Sequence, residues 1–493
     1  MKHSIVILMV ILCAGSVFAT HGTQMIGFSA QTVGRGGTSF GTFDNPSLMM
    51  TNPAGISFLT GSSIDADFSL MVPRVYFTNG LNDESGQTNY FPLPGFGYVH
   101  HTDDNPLTWG IGAFTLGGMG ADFTLNHALY SQPQEYHSRL AVMQGGPSIA
   151  YAISPQFSVG ASAHLIYSQL EFKMPYSLSP SIMKGIINPG TGMTFGDMFS
   201  GPPSQGGFGY SEVTASADMS GLTAYGFSAK IGLAYKINDN VSVGLAYTSS
   251  SQLTYKNGTA SMDMTAQLNN AFGLAMQGYL AQNPGATAAQ AQSAVMAQFT
   301  SLGVDLSKGV VANYNLEAKL KMPQSIGAGI CIKAADNVRL SADLEWVNWK
   351  DAWDNMSISL SNGDNANINR MLGNNGTFSL DFPLDWNDET CFSIGGEYDM
   401  NKTLTVRAGY SFGNNPVPDE TIFPVFPAIV ENHLTCGASY HVSSVVTIHA
   451  AYELGLNNKQ TASSQSLIAS EYNNSVSQLY ENIFHVSLSW GLE

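Results

Sequence analysis

The amino-acid sequence predicts an all-β protein, a 14-stranded antiparallel transmembrane β-barrel, and three observations lead to this prediction. Charged residues make up only 11% of the 493 residues, well below the roughly 25% typical of soluble proteins. Beyond the first 19 residues, no apolar run reaches the length of about 18 residues that a membrane-spanning helix requires. Segments of alternating apolar and polar residues recur along the chain, as expected of strands with one face toward lipid and one toward a lumen.

The alternation is clearest in three segments, 241–247, 446–454 and 484–492. In "VSVGLAY" and "FHVSLSWGL" every second residue is apolar and the intervening residues are small or polar. A period of two indicates a β-strand with two different faces. Alternation alone does not distinguish a soluble β-sandwich from a membrane barrel, so the lengths of the connections decide.

Short and long connections alternate strictly along the chain. The short ones lie around residues 103–105, 154–155, 238–240, 336–337, 401–402 and 443–444. The long ones lie near residues 78–90, 121–135, 176–220, 257–312, 351–385, 413–430 and 456–477. Six short and seven long connections join 14 strands, with both ends of the chain on the short-turn side. An even strand number with one side of short turns is typical of bacterial outer-membrane barrels, and closure leaves no strand edge unpaired in lipid.

Residues 1–19 have the pattern of a secretory signal peptide. Lys2 precedes an apolar stretch from Ser4 to Val17, and small residues precede the expected cleavage after Ala19. We therefore expect three regions: a signal peptide (1–19), an N-terminal hatch (20–60) and a transmembrane β-barrel (61–493). The expected location is the outer membrane of a Gram-negative bacterium.

Charge and side-chain chemistry argue against several other classes of protein. The net charge of −17 disfavours a nucleic-acid partner, since phosphate binding needs clustered Lys and Arg. Cys331, Cys391 and Cys436 are not spaced as metal ligands, so we interpret them as small strand residues. The histidines predicted to face the lumen lie on separate strands and form no catalytic motif; they are His164, His449 and His485. We expect no enzymatic activity, no metal and no cofactor.

The segment 33–55, "VGRGGTSFGTFDNPSLMMTNPAG", has the glycine, asparagine and proline content of a loop but also many apolar residues. A 14-stranded barrel is wider than the roughly eight strands whose side chains fill the interior. Irregular backbone at membrane depth is tolerated only where protein surrounds it. The segment is therefore predicted to fill the lumen. A phosphate-binding loop is disfavoured because no strand precedes it and no Gly-Lys-Ser/Thr follows, and a disordered tail conflicts with the apolar content.

Three motifs, "GRGGTSFG", "DNPSLMMTNPAG" and "RAGYSFGNNPVPDETIFPVFPAIVENH", together with the strand pattern, resemble the FadL/TodX-type family of outer-membrane transporters for long-chain fatty acids and aromatic hydrocarbons. The resemblance covers essentially the whole mature chain. It implies that the N-terminal segment folds back into the barrel as a hatch that plugs the pore. The hatch or gate residues implied are Gly34, Arg35, Gly36, Asn52, Pro53, Ala54 and Gly55.

The predicted third strand is interrupted at "FTLGGMGADF" by Gly117, Gly118 and Gly120. Glycine inside a strand often marks a bulge or bend. The family resemblance implies a kink that opens a hole in the side of the barrel, through which hydrophobic substrate leaves into the bilayer. The alternative is a bulge that only shapes the barrel.

Alternation assigns a mixed set of charged residues to the lumen. The set comprises Arg139, Lys230, Glu317, Lys319, Lys321, Arg339, Asp343, Glu345, Glu397 and Arg407. Many of these would pair with one another or with the hatch. A fatty-acid carboxylate needs only one or two cationic donors in an apolar pocket, and we select Arg139, Lys319 and Arg407 as candidates.

Residues 262–302 have a helical rather than a strand pattern. Leu268, Phe272 and Met276 recur every four residues, and Thr287 could cap a second helix that carries Phe299. The family resemblance implies that Leu268, Phe272, Met276 and Phe299 line an apolar entry groove. The alternative is that the two helices simply pack on the rim of the barrel.

The predicted function is uptake of hydrophobic compounds, either long-chain fatty acids or aromatic hydrocarbons, by passive diffusion through a hatch-gated barrel with a lateral exit. The alternative is a non-transporting surface barrel that acts as an adhesin or phage receptor, and a polar-solute porin is a third possibility. Expected partners are hydrophobic small molecules, outer-membrane lipid and lipopolysaccharide. We expect a monomer and no nucleic-acid partner.

Overall fold

The computed structural model describes residues 21–102 and 104–492, so the predicted signal peptide lies outside the described residues. Most of the chain forms one antiparallel sheet. Its strands up to the middle of the chain are β1 (Ser62–Thr78), β2 (Asp83–Ser85), β3 (Phe91–His100), β4 (Leu107–Leu125), β5 (Gln134–Ala152), β6 (Phe157–Leu178), β7 (Ile186–Asn188), β8 (Met193–Thr194), β9 (Val213–Asn238), β10 (Val241–Thr248) and β11 (Ser251–Asp263). The remaining strands are β12 (Val311–Met322), β13 (Ser325–Ala335), β14 (Val338–Val347), β15 (Asn355–Ser361), β16 (Phe378–Pro383), β17 (Glu389–Asp399), β18 (Leu404–Gly413), β19 (Asn432–His441), β20 (Val446–Thr461) and β21 (Val476–Leu492). Of these, β7 and β8 form a separate two-stranded sheet.

The sheet closes into a barrel of 14 wall positions, which confirms the predicted fold class. Nine positions hold one strand each. The other five hold two strands in succession, in the pairs β2 and β3, β10 and β11, β12 and β13, β14 and β15, and β16 and β17. Pro323, which has no backbone N–H to donate, lies at the break between β12 and β13. Closure is by β1 and β21, which pair from Ser62 opposite Leu492 to Thr78 opposite Val476.

The connections follow the predicted order of short and long. Short turns join β3 to β4, β5 to β6, β9 to β10, β13 to β14, β17 to β18 and β19 to β20. Long segments lie at the opposite end and carry most of the helices. The helices are α1 (Ala30–Gly34), α2 (Phe195–Ser200), α3 (Thr265–Gln282), α4 (Ala288–Ser301), α5 (Trp349–Ala352) and α6 (Ala366–Leu372). The 3₁₀ helices are Pro46–Met50, Pro53–Phe58, Pro180–Ile182, Pro203–Gln205, Leu306–Lys308 and Ser470–Tyr472.

Helix α4 begins as the sequence predicts. The side chain of Thr287 accepts a hydrogen bond from the backbone N–H of Gln290, and the Gln290 side chain accepts one from the Thr287 backbone. This reciprocal capping box satisfies two of the free N–H groups at the helix start. Across the described chain, α-helical segments of sufficient length and hydropathy to cross a membrane are absent.

We call the wall next to the short turns the lower barrel; it comprises β10, β13, β14, β17, β18, β19 and the short-turn ends of the other strands. Its outward side chains are apolar and exposed, and its inward side chains are buried and mostly small or polar. The exposed belt includes Trp109, Tyr225, Phe227, Phe392, Ile394, Leu488 and Trp490. The lower barrel therefore has the distribution expected of a lipid-facing wall.

We call the remaining wall the upper barrel; it comprises β11, β12, β15, β16 and the outer ends of β4, β5, β6 and β9. Here the alternation is reversed. On β12, Tyr314, Leu316 and Leu320 are buried, whereas Glu317 and Lys319 between them are exposed. The upper barrel therefore has a polar outer surface and an apolar interior, as a wall surrounded by water requires.

Candidate functional site

The N-terminal segment (residues 21–61) lies inside the lower barrel and is bonded to strands around its circumference. The Ala30 N–H donates to Ser487 Oγ of β21 (2.8 Å), and the Gly36 N–H donates to Thr435 Oγ1 of β19 (3.0 Å). On the other side of the lumen, Asn52 Nδ2 donates to the carbonyl oxygen of Leu233 on β9 (2.9 Å). The segment is almost entirely buried. Protein therefore surrounds this irregular backbone at membrane depth, as predicted.

Glycines on the barrel wall bring the segment close to the strands. A methyl group on Gly244 would overlap the Phe40 carbonyl oxygen, and one on Gly160 would overlap the Ala54 nitrogen. The same holds for other inward-facing glycines where the segment passes, namely Gly117, Gly232, Gly327, Gly395 and Gly409. Close backbone approach is a regular reason for glycine within a strand. Apart from Gly117, these glycines were not predicted to contact the N-terminal segment, although their lumen-facing positions on several strands are visible in the sequence.

A buried charge network fixes the segment to the wall. Arg35 is fully buried and forms two hydrogen bonds with Asp44 (Nη1 to Oδ2, 2.9 Å; Nη2 to Oδ1, 3.0 Å). Its Nη1 also lies 3.3 Å from Glu397 Oε1 on β17. Arg339 pairs with both carboxylates, and Arg407 pairs with Glu397. Charges buried at such depth are retained only when paired, so the network links residues 35 and 44 to β14, β17 and β18.

The predicted hatch residues lie in the lumen in two separate groups. Gly34, Arg35 and Gly36 pack against β17, β18 and β19. Asn52, Pro53, Ala54 and Gly55 lie near β6, β9 and β10, where Asn52 caps the 3₁₀ helix by accepting a bond from the Ala54 N–H (3.2 Å). Among the described residues, no backbone–backbone hydrogen bond joins either group to the glycine-rich part of β4.

Strands β3 and β4 pair over only part of their length, which leaves a lateral gap in the wall. Pairing runs from His100 opposite Trp109 to Gly95 opposite Phe114 and then stops. Pairing between the two sides resumes where the Gln87 N–H donates to the Asp122 carbonyl oxygen (2.8 Å). The gap therefore lies between residues 88–94 and 115–121, and Pro92 and Pro94 on its edge have no N–H to donate.

Residues Thr23–Met25 of the N-terminal segment occupy the free edge of β4 at this gap. The Gly118 N–H donates to the Thr23 carbonyl oxygen (2.9 Å), and the Met25 N–H donates to the Leu116 carbonyl oxygen (3.2 Å). At Leu116, between Thr115 and Gly117, β4 has a bulge relative to β5, and a side chain on Gly117 would overlap Thr23. Glycine at position 117 therefore permits the N-terminal segment to pair with β4 where β3 does not.

Two cavities lie in the lumen, one at each level of the barrel. The lower cavity is bounded by the N-terminal segment and by Leu116 next to the lateral gap. Its lining is apolar on the side of Met25, Phe28 and Phe40 and includes Lys230, Asp343 and Glu345 on the wall. The upper cavity has no charged lining residue. It is lined by side chains that include Tyr176, Met183, Met219, Met262, Met264, Leu360, Phe378 and Leu380.

The connection between β18 and β19 folds into the upper barrel and is buried throughout residues 421–430. Phe426 stacks on Phe172 of β6 with ring centroids 5.5 Å apart, and Phe423 packs against Phe382 of β16 at 5.4 Å. The apolar run "IFPVFPAIV" lies within one of the three motifs that carry the family resemblance, and it is also a sequence signal for burial of this long connection.

Two of the three predicted carboxylate-binding residues do not face the lumen. Lys319 alternates with the buried Ala318 and Leu320, and Arg139 alternates with the buried Ser138 and Leu140. Both therefore lie on the outer face, and the prediction was wrong because these strand segments belong to the upper barrel, where the alternation is reversed. Glu317 and Lys321 were misplaced for the same reason.

Arg407 faces the lumen as predicted, but it takes part in the charge network. Its guanidinium pairs with Glu397 and donates to Ser439. The other residues predicted to point inward, Lys230, Arg339, Asp343, Glu345 and Glu397, line the lower cavity or join the network. Asp44, which completes the network, was missed because its partners are distant in sequence.

The predicted entry-groove residues pack between the two outer helices. Leu268 and Phe299 are buried, and the ring of Phe272 lies 6.1 Å from that of Phe299. Neither these residues nor Met276 lines the upper cavity. The apolar side chains of α3 and α4 pack against each other, and the entry groove stays a prediction.

Histidines and carboxylates also meet on the lumen wall above the segment. Glu453 lies between His433 Nδ1 and His485 Nε2, at 3.2 Å from each. Within residues 21–102 and 104–492, no group of three or more His, Cys, Asp or Glu side chains is arranged to hold a metal ion. Cys331, Cys391 and Cys436 lie in strands and have free thiols.

Comparison with known proteins gives a consistent result. A family model described as outer membrane protein transport protein (OMPP1/FadL/TodX) matches residues 10–483. The Pseudomonas putida toluene transporter TodX has a similar structure, with 19% identity, a TM-score of 0.66, and coverage of 96% of this chain and all of that one. No match is found among curated proteins.

Two further solved structures have the same fold. A Pseudomonas aeruginosa FadL homologue is 16% identical, with a TM-score of 0.66 and coverage of 97% of this chain and 100% of that one. The Ralstonia pickettii toluene transporter TbuX is 18% identical, with a TM-score of 0.61 and coverage of 95% and 99%. At these identities the likeness establishes the fold and leaves the substrate to be argued from the site.

Proposed function

Because the chain belongs to the outer membrane protein transport protein family (OMPP1/FadL/TodX), we propose that it takes up hydrophobic compounds by passive diffusion across the outer membrane of a Gram-negative bacterium. In this proposal the N-terminal segment is the hatch, and substrate leaves the barrel sideways through the gap between β3 and β4. The protein acts as a monomer surrounded by outer-membrane lipid and lipopolysaccharide. The observation that carries the proposal is the lateral gap, occupied by Thr23–Met25 and adjacent to the lower cavity.

The proposed route begins in the upper cavity, whose apolar lining would take a hydrophobic molecule from outside. Movement of residues 421–430, which fill the upper barrel, would admit it to the lower cavity. Release of Thr23–Met25 from β4 would then open the gap. Among the described residues, two backbone hydrogen bonds hold Thr23–Met25 to β4, whereas the charge network holds Arg35 and Asp44. We therefore place the moving part of the hatch at residues 21–28 rather than near Asn52–Ala54.

The charge distribution favours an uncharged substrate over a fatty-acid anion. The upper cavity has no cationic lining residue, and in the lower cavity Lys230 is outnumbered by Asp343 and Glu345. The guanidinium of Arg407 is already paired with Glu397. Burying a carboxylate without a free cationic partner costs several kcal/mol. Among the two predicted substrate classes, we therefore propose aromatic hydrocarbons, and TodX and TbuX are both described as toluene transporters.

A cross-link across the lateral gap tests the exit route. Thr115 Oγ1 lies 3.1 Å from the Pro94 carbonyl oxygen on the far side of the gap, so a Pro94→Cys, Thr115→Cys pair could be bridged with a short thiol reagent. The background would carry Cys331→Ser, Cys391→Ser and Cys436→Ser. Uptake of labelled toluene by cells should be lost on oxidation or bridging of this pair and regained when a disulfide is reduced.

The matched control cross-links β3 and β4 where they are already paired. Tyr98→Cys with Ile111→Cys joins directly opposed residues below the gap and should leave uptake unchanged. Unchanged uptake after complete cross-linking of the gap pair would refute the lateral exit. If cells with the unmodified protein accumulate toluene no faster than cells without it, the non-transporting adhesin or phage receptor becomes the better explanation.

The preference for uncharged substrate has its own test. Uptake of labelled toluene and labelled oleate is measured side by side, in cells with and without the protein. We expect faster uptake of toluene only, because the upper cavity has no cationic lining residue and Lys230 in the lower cavity is accompanied by the carboxylates of Asp343 and Glu345. Equal enhancement of oleate uptake would contradict the proposed selectivity but leave the route intact.

A further inference from the structure

Three lysines form a basic patch on the outer surface of the upper barrel. Lys256 lies on β11, and Lys319 and Lys321 lie on β12, on the outward face between the buried residues Tyr255, Ala318 and Leu320. The register places Thr254 opposite Lys319, so Lys256 is the next outward residue on the neighbouring strand. The chain has only 19 Lys and Arg residues in total, which makes three lysines on two adjacent strands a distinct local feature.

The patch lies directly above the apolar belt. Lys256 is opposite Thr223 on β9, and Thr223 is two residues, or about 7 Å, beyond Tyr225. Tyr225 is 64% exposed, and Phe227, the next outward residue toward the short turns, is 76% exposed. The lysines therefore stand at the height where the head groups of the outer leaflet meet the upper edge of the hydrocarbon region.

The three ammonium groups have no ion-pair partner in the described part of the chain. Lys173, Lys308 and Lys333 form ion pairs, whereas Lys256, Lys319 and Lys321 form none with residues that the structure describes. Glu317 lies on the same face of β12, opposite the bulge that contains Lys256, because Tyr255 pairs with Ala318 and Gly258 pairs with Leu316. No ion pair joins Glu317 to these lysines within the described residues, and three lysines beside one carboxylate leave the patch with a net positive charge toward an anionic group from outside the protein.

We propose that Lys256, Lys319 and Lys321 bind the phosphate groups of a lipopolysaccharide molecule whose acyl chains pack on Tyr225 and Phe227. This inference rests on the outer-membrane location in the proposed function. Phosphorylated glycolipid fits both parts of the surface, since lysine ammonium groups bind phosphate as point charges and the exposed rings contact hydrocarbon. An uncharged lipid would satisfy only the rings. The patch is separate from the lateral gap and from both cavities.

The test measures binding of bisphosphorylated lipid A to the purified protein in a non-ionic detergent, for example by native mass spectrometry over a concentration series. The variant with Lys256→Gln, Lys319→Gln and Lys321→Gln should bind about tenfold more weakly or worse, given the roughly additive contribution of each basic residue near an anionic lipid surface. Replacing all three lysines by arginine should retain binding.

A charge-matched control separates a specific patch from net charge. Lys308→Gln, Lys333→Gln and Lys459→Gln remove three exposed lysines elsewhere and should leave lipid A binding unchanged. Dephosphorylated lipid A should bind the parent protein and the patch variant equally weakly. Equal binding of bisphosphorylated lipid A to parent and patch variant, or undiminished binding after removal of the phosphates, would overturn the proposal. Toluene uptake is scored separately, since the patch variant changes no residue of the gap or cavities.

Discussion

The lower and upper barrels have the same strand geometry but opposite side-chain distributions. In the lower barrel, Ile394 and Leu488 point outward and are exposed, whereas the inward wall carries buried polar residues such as Ser393 and Glu397. In the upper barrel, Leu316 and Leu320 point inward, and Lys319 points outward. A period of two therefore identifies a strand and separates its two faces, but the medium outside decides which face is apolar.

This difference accounts for the contrasting contents of the lumen. The wide lower lumen has a polar wall and is filled by the N-terminal segment, which glycines and the charge network bring against it. The upper lumen has an apolar wall and is filled by aromatic side chains of residues 421–430. Polar anchoring below and apolar packing above give the two halves different sensitivities to substitution.

Loss of the central cation in the lower barrel should have the largest effect. Arg35→Met retains much of the apolar volume but leaves Asp44 and Glu397 one partner short in a buried site. Breaking a buried ion pair costs about 3–5 kcal/mol. We expect a lower midpoint of urea unfolding in lipid vesicles and increased permeability to small sugars in liposome-swelling assays. The control Arg370→Met lies in the outer connections, and a stability of Arg35→Met no lower than this control would contradict the anchoring role.

A pair of adjacent substitutions on β12 tests the reversed alternation of the upper barrel. Leu320→Ala removes a side chain that is 4% exposed and should cost about 2–5 kcal/mol, as large-to-small substitutions in a core do. Lys319→Ala, one residue earlier on the outer face, should change the free energy of unfolding by less than about 0.5 kcal/mol. Urea unfolding of both variants gives the comparison. A larger effect at Lys319 than at Leu320 would mean that the faces are assigned the wrong way round.

Sequence alone sufficed for the features that depend on local pattern. Strand number, turn order, the capping of α4 by Thr287 and the inward direction of Arg407 all followed from periodicity and connection length. Arg139 and Lys319 were misplaced because alternation carries no information on the height of a residue relative to the membrane. The sequence of the whole strand β12 does carry a signal for the outward direction of Lys319, since the run from Asn313 to Lys321 has polar residues at every outward position.

The candidate site was less predictable because its contacts join residues far apart in the chain. Asp44 meets Arg339 across almost 300 positions, and Thr23 meets Gly118. Gly117 was selected as a break in a strand, but its role in admitting the N-terminal segment depends on where that segment runs. The burial of Trp349 against Trp353 and Trp386 likewise joins side chains from different segments.

A pH-dependent contact at the top of the upper barrel should give the smallest and most local effect. Glu471, in the connection between β20 and β21, is largely buried, and the Tyr136 hydroxyl donates to its Oε2 (2.9 Å). Burial raises the pKa of Glu471 from 4.5 to about 7, with hydrogen bonds to the carboxylate opposing this shift and the nearby Glu212 adding to it. His127 lies 3.9 Å from the carboxylate, but burial lowers its pKa, so it offers little compensating charge near neutrality.

The sign of the effect follows from the raised pKa. The folded connection binds the proton of Glu471 more tightly than the unfolded chain does, so its stabilisation is complete below pH 4.5 and is lost as the pH rises through about 7. The shift corresponds to at most about 3 kcal/mol, confined to residues 462–475. Between pH 5 and pH 8, hydrogen exchange in this connection should accelerate more than the intrinsic pH dependence of exchange predicts. The substitution Glu471→Gln should abolish this excess acceleration, because the glutamine side chain stays neutral. The control Glu420→Gln, which replaces an exposed carboxylate, should retain the excess exchange. An unchanged excess in Glu471→Gln would show that another group causes the pH dependence of this connection.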